Sequence, residues 1–127
     1  MTKITQRTHE RLAFHAPITH SMYNRNNSPN GSMDNYHDGI MGDISAGGLF
    51  FESATPCWGN GPVYINFLGK SKSILVTNKT EDIPGTVVWC RESAKTGHAR
   101  FMIGVKFDKK QAIKVRFARK LGAVWLS

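Results

Sequence analysis

The sequence is poor in the features that announce covalent or metal chemistry. It has two cysteines, Cys57 and Cys90, with no CxxC spacing, which excludes a zinc ribbon and a thioredoxin-like redox motif. The five histidines, His9, His15, His20, His37 and His98, form no HxxxH, HExxH or Cys/His cluster, so no metal site is expected. There is no GxSxG, P-loop or kinase-type set, and the spacing of Gly39 and Gly42 is not GxGxxG. The chain therefore reads as a protein that is not an enzyme and carries no cofactor. Long hydrophobic runs are also missing. Nothing approaches the ~20 apolar residues of a membrane helix, and Met1 to Phe14 has no apolar signal-type core. The expectation is a cytoplasmic protein with two buried thiols. Acidic residues are scarce: 9 Asp+Glu face 17 Lys+Arg, for a net charge of +8.

What is present is one domain's worth of chain. Its 127 residues, 40% of them apolar, suffice for a core without disulfides and exclude a wholly disordered tail. A domain this basic invites a polyanionic partner: nucleic acid, a phosphorylated small molecule or an acidic membrane surface. The charge is uneven. Seven basic residues and one acid, Asp108, between Lys106 and Lys120 supply +6 of the total +8.

Most of the chain reads as short strands. Ala13 to Tyr23 is a first strand candidate. Asn24 to Asp38, rich in Asn, Ser, Gly and Pro, marks a long loop or hairpin tip. Ile40–Ile44 and Leu49–Ser53 flank a Ser-Ala-Gly-Gly turn. Val63, Ile65 and Phe67 alternate onto one face, Ile74-Leu-Val is a short buried strand, and Val87, Trp89 and Arg91 are expected to share a face. Phe101, Ile103, Val105 and Phe107 give the cleanest alternation. Short strands with Gly/Pro/Asn punctuation argue for a sandwich or barrel. The period then changes. Asp108 and Gln111 resemble a capping box, and Ile113, Phe117, Leu121 and Val124 recur on one helical face. An amphipathic helix is expected from Lys109 to Val124.

Two short features combine into chemistry. Arg7-Thr-His-Glu-Arg11 puts two arginines four apart ahead of the first strand, and Asp43-Ile-Ser45-Ala-Gly47-Gly48 ends a strand in a small-residue turn. Arginine offers a planar fork of donors for phosphate oxygens or guanine edges. A carboxylate accepts from the N1–H and amino group of guanine, a serine hydroxyl adds an adaptable donor or acceptor, and glycine permits close backbone approach. Together these groups suit a phosphorylated, guanine-like ligand.

The RxxxR segment, a strand and then DxSxxG, in that order, resemble the paired motif of the PilZ domain family, bacterial receptors for cyclic di-GMP. Gly85-Thr-Val-Val-Trp-Cys-Arg and Ile103-Gly-Val-Lys-Phe107 are similar to the family's later strands, so the resemblance runs from about Gln6 to Lys120. It implies a mainly β fold: a six-stranded antiparallel PilZ-type β-barrel over 13–107, a flexible amino-terminal segment over 1–12 and a C-terminal amphipathic α-helix over 108–124, in a single domain. It implies that Arg7 and Arg11 grip the phosphates and guanine edges, and that Asp43, Ser45 and Gly48 surround one guanine. Trp89 falls where an aromatic lies beside the ligand in some members; on its residues alone it either stacks on a purine or packs the barrel. A ligand with two phosphates would order the terminal segment and so signal to a downstream protein partner. Many members carry a further basic residue beside the first arginine, where this chain has Gln6 and Thr8, which leaves the ligand stoichiometry open. Two other functions fit the composition: a small basic barrel that binds single-stranded nucleic acid, and a ligand-independent interaction adaptor of the same fold. Lys109, Arg116, Arg119 and Lys120 share roughly one sector of the expected helix, away from most of its apolar face, so most of the basic excess is expected outside the ligand site. Replacing all four by glutamine should leave cyclic di-GMP affinity nearly unchanged in a calorimetric titration; a large loss would place the basic segment in the site.

Overall fold

The computed structural model describes residues 11–23, 36–75, 82–95 and 98–125. Arg7 and positions 24–35 of the polar loop lie outside them. Strand β1, Leu12–Ser21, buries Leu12, Phe14, Ala16, Ile18 and His20, every second residue, leaves Ala13, His15, Pro17 and Thr19 at least partly exposed, and ends in the buried Ser21. β2 covers His37–Ser45 and β3 Gly48–Ser53. β4, Pro62–Phe67, buries Val63, Ile65 and Phe67 as their alternation predicts. The long strands β5, Ile83–Lys95, and β6, His98–Phe107, follow. A six-residue helix α1, Val115–Lys120, and a two-residue strand β7, Val124–Trp125, complete the described chain.

The strands pair antiparallel in the order β2-β3-β6-β5-β4-β1-β7, and β1 pairs with β2 as well. That pairing closes six strands into a ring, so the strands have no long free edge to manage. Phe51, Ile18, Met41, Ile44, Ile65, Val87 and Ile103 fill its interior and are fully buried.

Three expectations change. Ile74 and Leu75 are buried, but they end a 3-10 helix, Gly69–Ile74, and Leu75 makes a lone bridge to Ile113. The carboxy-terminal helix is far shorter than 108–124. Asp108 accepts from Thr86 Oγ1 at 3.2 Å instead of capping. Gln111 N–H donates to Ala46 O at 2.8 Å and Lys114 N–H to Ile74 O at 2.6 Å. Tertiary hydrogen bonds thus hold 108–114 extended against the barrel and override the helical pattern. The helix then ends in a Schellman turn: Ala123 N–H reaches Ala118 O and Gly122 N–H reaches Arg119 O, with Gly122 at φ 106. Its apolar stripe, including Phe117 and Leu121, packs on the core. The third change is in β5. Val87 is fully buried, but Trp89 and Arg91 do not share its face, because a β-bulge shifts the register between Val87 and Trp89.

Of the thiols, Cys57 is buried and Cys90 half-buried. Cys57 faces His20, with Sγ 3.8 Å from Nδ1. The Ser53 hydroxyl donates its proton to Asp38 O at 2.8 Å, so His20 Nε2–H must donate to Ser53 Oγ, also at 2.8 Å. Nε2 therefore carries a hydrogen. Burial, helped by His37, lowers the imidazole's pKa from 6.5 to about 4. Burial, with Cys90 nearby, raises the Cys57 thiol to about 12, which keeps it protonated and unreactive near neutrality. The unfolded state takes up the histidine proton first as pH falls. The stability from a neutral His20 is therefore complete above 6.5 and lost as pH falls towards 4. Urea unfolding across this range should show about 3 kcal/mol more acid loss in wild type than in His20→Gln; parallel curves would contradict the assignment.

Candidate functional site

The site begins where β1 begins. Leu12 points inward, so Ala13 points outward, and its partner on β2 is Asp43. Arg11, one residue before the strand, places Nη2 3.5 Å from Asp43 Oδ1. The arginine side chain is 35% exposed and the aspartate 10%. The second arginine of RxxxR and the aspartate of DxSxxG, 32 residues apart in sequence, thus meet on the outer surface of the barrel.

Asp43 reaches this surface through a bulge at Gly42. Met41 pairs with Phe51 and Asp43 with Phe50, so two steps on β2 face one on β3. Met41 and Ile44 both stay in the core while Asp43 turns out. Ser45 closes the β2–β3 hairpin opposite Gly48. Its Oγ accepts from Gly47 N–H at 3.3 Å and lies 3.4 Å from Gly48 O. Gly48 has its own reason to be glycine: a Cβ there would lie 2.1 Å from Val105 O on β6. Close approach is needed between strands before any ligand is considered. The turn is pinned from behind, because Phe107 N–H and Gln111 N–H donate to Gly47 O and Ala46 O, both at 2.8 Å.

Cross-strand partners share a face of a sheet, and the register extends the site sideways. Asp43 pairs with Phe50, Phe50 with Gly104, and Gly104 with Trp89. This outward row crosses β2, β3, β6 and β5, about 14 Å at the usual strand spacing. Two glycines shape it. A Cβ on Gly42 would strike the Phe50 ring, and one on Gly104 would strike the indole of Trp89. Each ring covers a glycine, and the two ring centroids are 6.4 Å apart with their planes tilted by 32°. Trp89 is therefore surface and not core. Arg91 already covers part of it, with its guanidinium carbon 4.8 Å from the ring centroid, a cation–π contact.

Of the residues singled out in the sequence, Arg11, Asp43, Ser45, Gly48 and Trp89 fall on one outer face; Arg7 lies outside the described residues. Phe50 and Gly104 were missed. Alternation carries their signal: Leu49 and Phe51 point inward, as do Ile103 and Val105, so Phe50 and Gly104 must point out. Among the described residues no group of three or more His, Cys, Asp or Glu is placed to hold a metal ion, and no helix is long and apolar enough to cross a membrane.

Residues 5–119 match the PilZ domain family, and the chain belongs to it. Three solved structures share the fold. The inhibitor of motility MotI/DgrA of Bacillus subtilis aligns with a TM-score of 0.63 at 12% identity, over 94% of this chain and 53% of its own. MrkH of K. pneumonia, in complex with c-di-GMP, gives 0.54 at 14% identity, over 93% and 50%. The PilZ domain of Escherichia coli YcgR, with c-di-GMP, gives 0.51 at 10% identity, over 92% and 86%. The chain spans about half the length of the MotI/DgrA and MrkH chains. No curated protein sequence matches it.

The two motif-associated glycines should separate in stability. Gly48→Ala forces a methyl against a backbone carbonyl and should cost about 3 kcal/mol. Gly104→Ala meets the Cε2 and Nε1 atoms of a half-exposed indole, a side chain and not backbone, so the ring can shift and the change should cost about 1 kcal/mol while altering Trp89 emission. Urea titrations followed by fluorescence measure both; equal costs would refute the stated contacts.

Proposed function

We propose that this chain is a cyclic di-GMP-binding regulatory module of the bacterial cytoplasm, whose response to ligand is read by a downstream protein. The observation that carries this reading is the Arg11–Asp43 contact on the outer face, beside the Ser45–Gly48 turn. A guanine edge offers N1–H and an amino group side by side, and the Asp43 carboxylate accepts both. Ser45 and the glycine backbone lie next to the same edge. Arg11, itself partly exposed, sits against the nearly buried Asp43 at 3.5 Å, longer than a good hydrogen bond and so open to exchange. Exchanging it costs little: the carboxylate turns to guanine and the guanidinium to phosphate or the Hoogsteen edge. Arg7, by the spacing of RxxxR, supplies a second fork. The Phe50–Trp89 shelf offers a flat apolar surface for a purine. The mechanism is binding and ordering, with no covalent step.

Family membership supports this reading, as do the c-di-GMP complexes among the structures of similar fold. The single-stranded nucleic acid alternative loses ground because Phe14, Phe51, Phe67 and Phe107 are core residues, leaving few rings to form a stacking track. Calorimetric titration with cyclic di-GMP tests the proposal. Wild type should bind, and Arg11→Ala and Asp43→Ala should each lower affinity by about 10- to 100-fold, the loss of one or two charge-assisted hydrogen bonds. Folded wild type that gives no binding heat at tens of micromolar ligand would overturn it.

A further inference from the structure

The outer face carries two cations that neither motif contains. Lys106 is the β6 partner of Gly48 and of Thr86 on β5. It is exposed and stands two residues beyond Gly104, about 7 Å along the strand. Arg91 stands two residues beyond Trp89 in the opposite direction, and its side chain folds back over the indole. The two therefore flank the shelf formed by Phe50, Gly104 and Trp89. The carboxylates nearby are already engaged. Arg11 lies against Asp43, Arg100 Nε donates to Glu52 Oε2 at 3.2 Å, and Thr86 donates to Asp108. Among the described residues no carboxylate pairs with Lys106 or Arg91. Two cations beside a flat aromatic surface, with the local acids occupied, make an anion subsite next to a base-stacking surface.

We propose that Lys106 and Arg91 form a second phosphate subsite, across the sheet from Arg11. It holds the phosphodiester of the nucleotide half that stacks on Trp89. This inference rests on the cyclic di-GMP reading given above and extends it. A ligand with two phosphodiesters needs cationic partners at two places. The RxxxR motif supplies only Arg7 and Arg11, because Gln6 and Thr8 stand where further basic residues would otherwise add charge. Lys106 is poised as a point charge on a flexible stem. Arg91 occupies the indole face before the purine does. When the base stacks, the guanidinium leaves the ring and turns to the phosphate, exchanging a cation–π contact for a charge-assisted hydrogen bond.

Titrations of wild type, Lys106→Gln, Arg91→Gln and the double variant test this. Each single change should weaken cyclic di-GMP binding by about 5- to 20-fold, and the double variant should bind with less salt dependence than wild type. Lys106→Arg should restore most of the affinity, which a merely structural effect would not predict. Both side chains lie on the surface, so melting temperatures should stay close to wild type. Wild-type binding with unchanged affinity in both single variants overturns the subsite and leaves the Arg11–Asp43 reading standing. Absence of binding by wild type overturns both.

Discussion

The site depends on two β-bulges. An uninterrupted strand alternates strictly, so Met41 in the core would place Asp43 in the core as well, and Val87 in the core would bring Trp89 with it. The extra residue at Gly42, and the one at Val88, each change the phase once. Asp43 and Trp89 then face outward in one row, while Ile44 stays buried and Cys90 packs against the core. Each bulge has local support. Gly42 leaves room for the Phe50 ring. Val87 bonds through both its N–H and C=O to the turn at Asn60 and Gly61, at 2.9 and 2.7 Å, so the shifted backbone is not left unsatisfied. A carboxylate and an indole that regular pleating would point into the core are turned to the outer face, the carboxylate under Arg11 with its side chain only 10% exposed, at little cost in backbone hydrogen bonds.

The same bulges explain what was legible in the sequence. Wherever alternation runs unbroken, as in Val63-Ile65-Phe67 and Ile103-Val105-Phe107, the sequence pattern identifies the buried face correctly. It fails at Val87, Trp89 and Arg91, where one extra residue switches the face without leaving a mark in hydrophobicity. It fails again at 108–124. The helical spacing of Ile113, Phe117 and Leu121 does describe side chains that pack on the barrel, but Val124, expected on the same stripe, is exposed in β7, and long-range hydrogen bonds to Ala46 and Ile74 hold the first part of that segment out of the helix. The candidate site was legible as residue types that the structure brings together, because Arg11, Asp43, Ser45 and Gly48 belong to compact motifs. Its breadth was not. Phe50 and Gly104 join it only through register across three strands, which no local window contains.

The segment after β6 ties the two motif halves together. At one end, Phe107 and Gln111 donate to the carbonyls of the DxSxxG turn. At the other, β7 pairs Val124 with Ala13 and Trp125 with Leu12, immediately after Arg11. The Schellman turn at Gly122 is what returns the chain from α1 to β1. A two-residue strand and a six-residue helix have little stability of their own, so the geometry of this strap is set by the same backbone positions that set the site.

This arrangement gives the uneven charge a physical meaning. Arg11 and Asp43 nearly cancel at the centre of the site, so the large basic excess is not what defines it. Lys106 alone among the clustered basic residues stands on the sheet face in line with Gly48. Lys109, Lys110, Arg116, Arg119 and Lys120 are exposed on the strap. At physiological ionic strength an exposed charge acts over about 8 Å. The strap's field therefore favours the approach of any anion, whereas in the proposed function selection among anions falls to the short-range set: a carboxylate matched to a guanine edge, two rings laid over glycines, and cations on both sides of them. Net charge is compatible with a polyanionic partner, and on the proposed reading the row from Asp43 to Trp89 narrows it to one with planar bases spaced across a sheet.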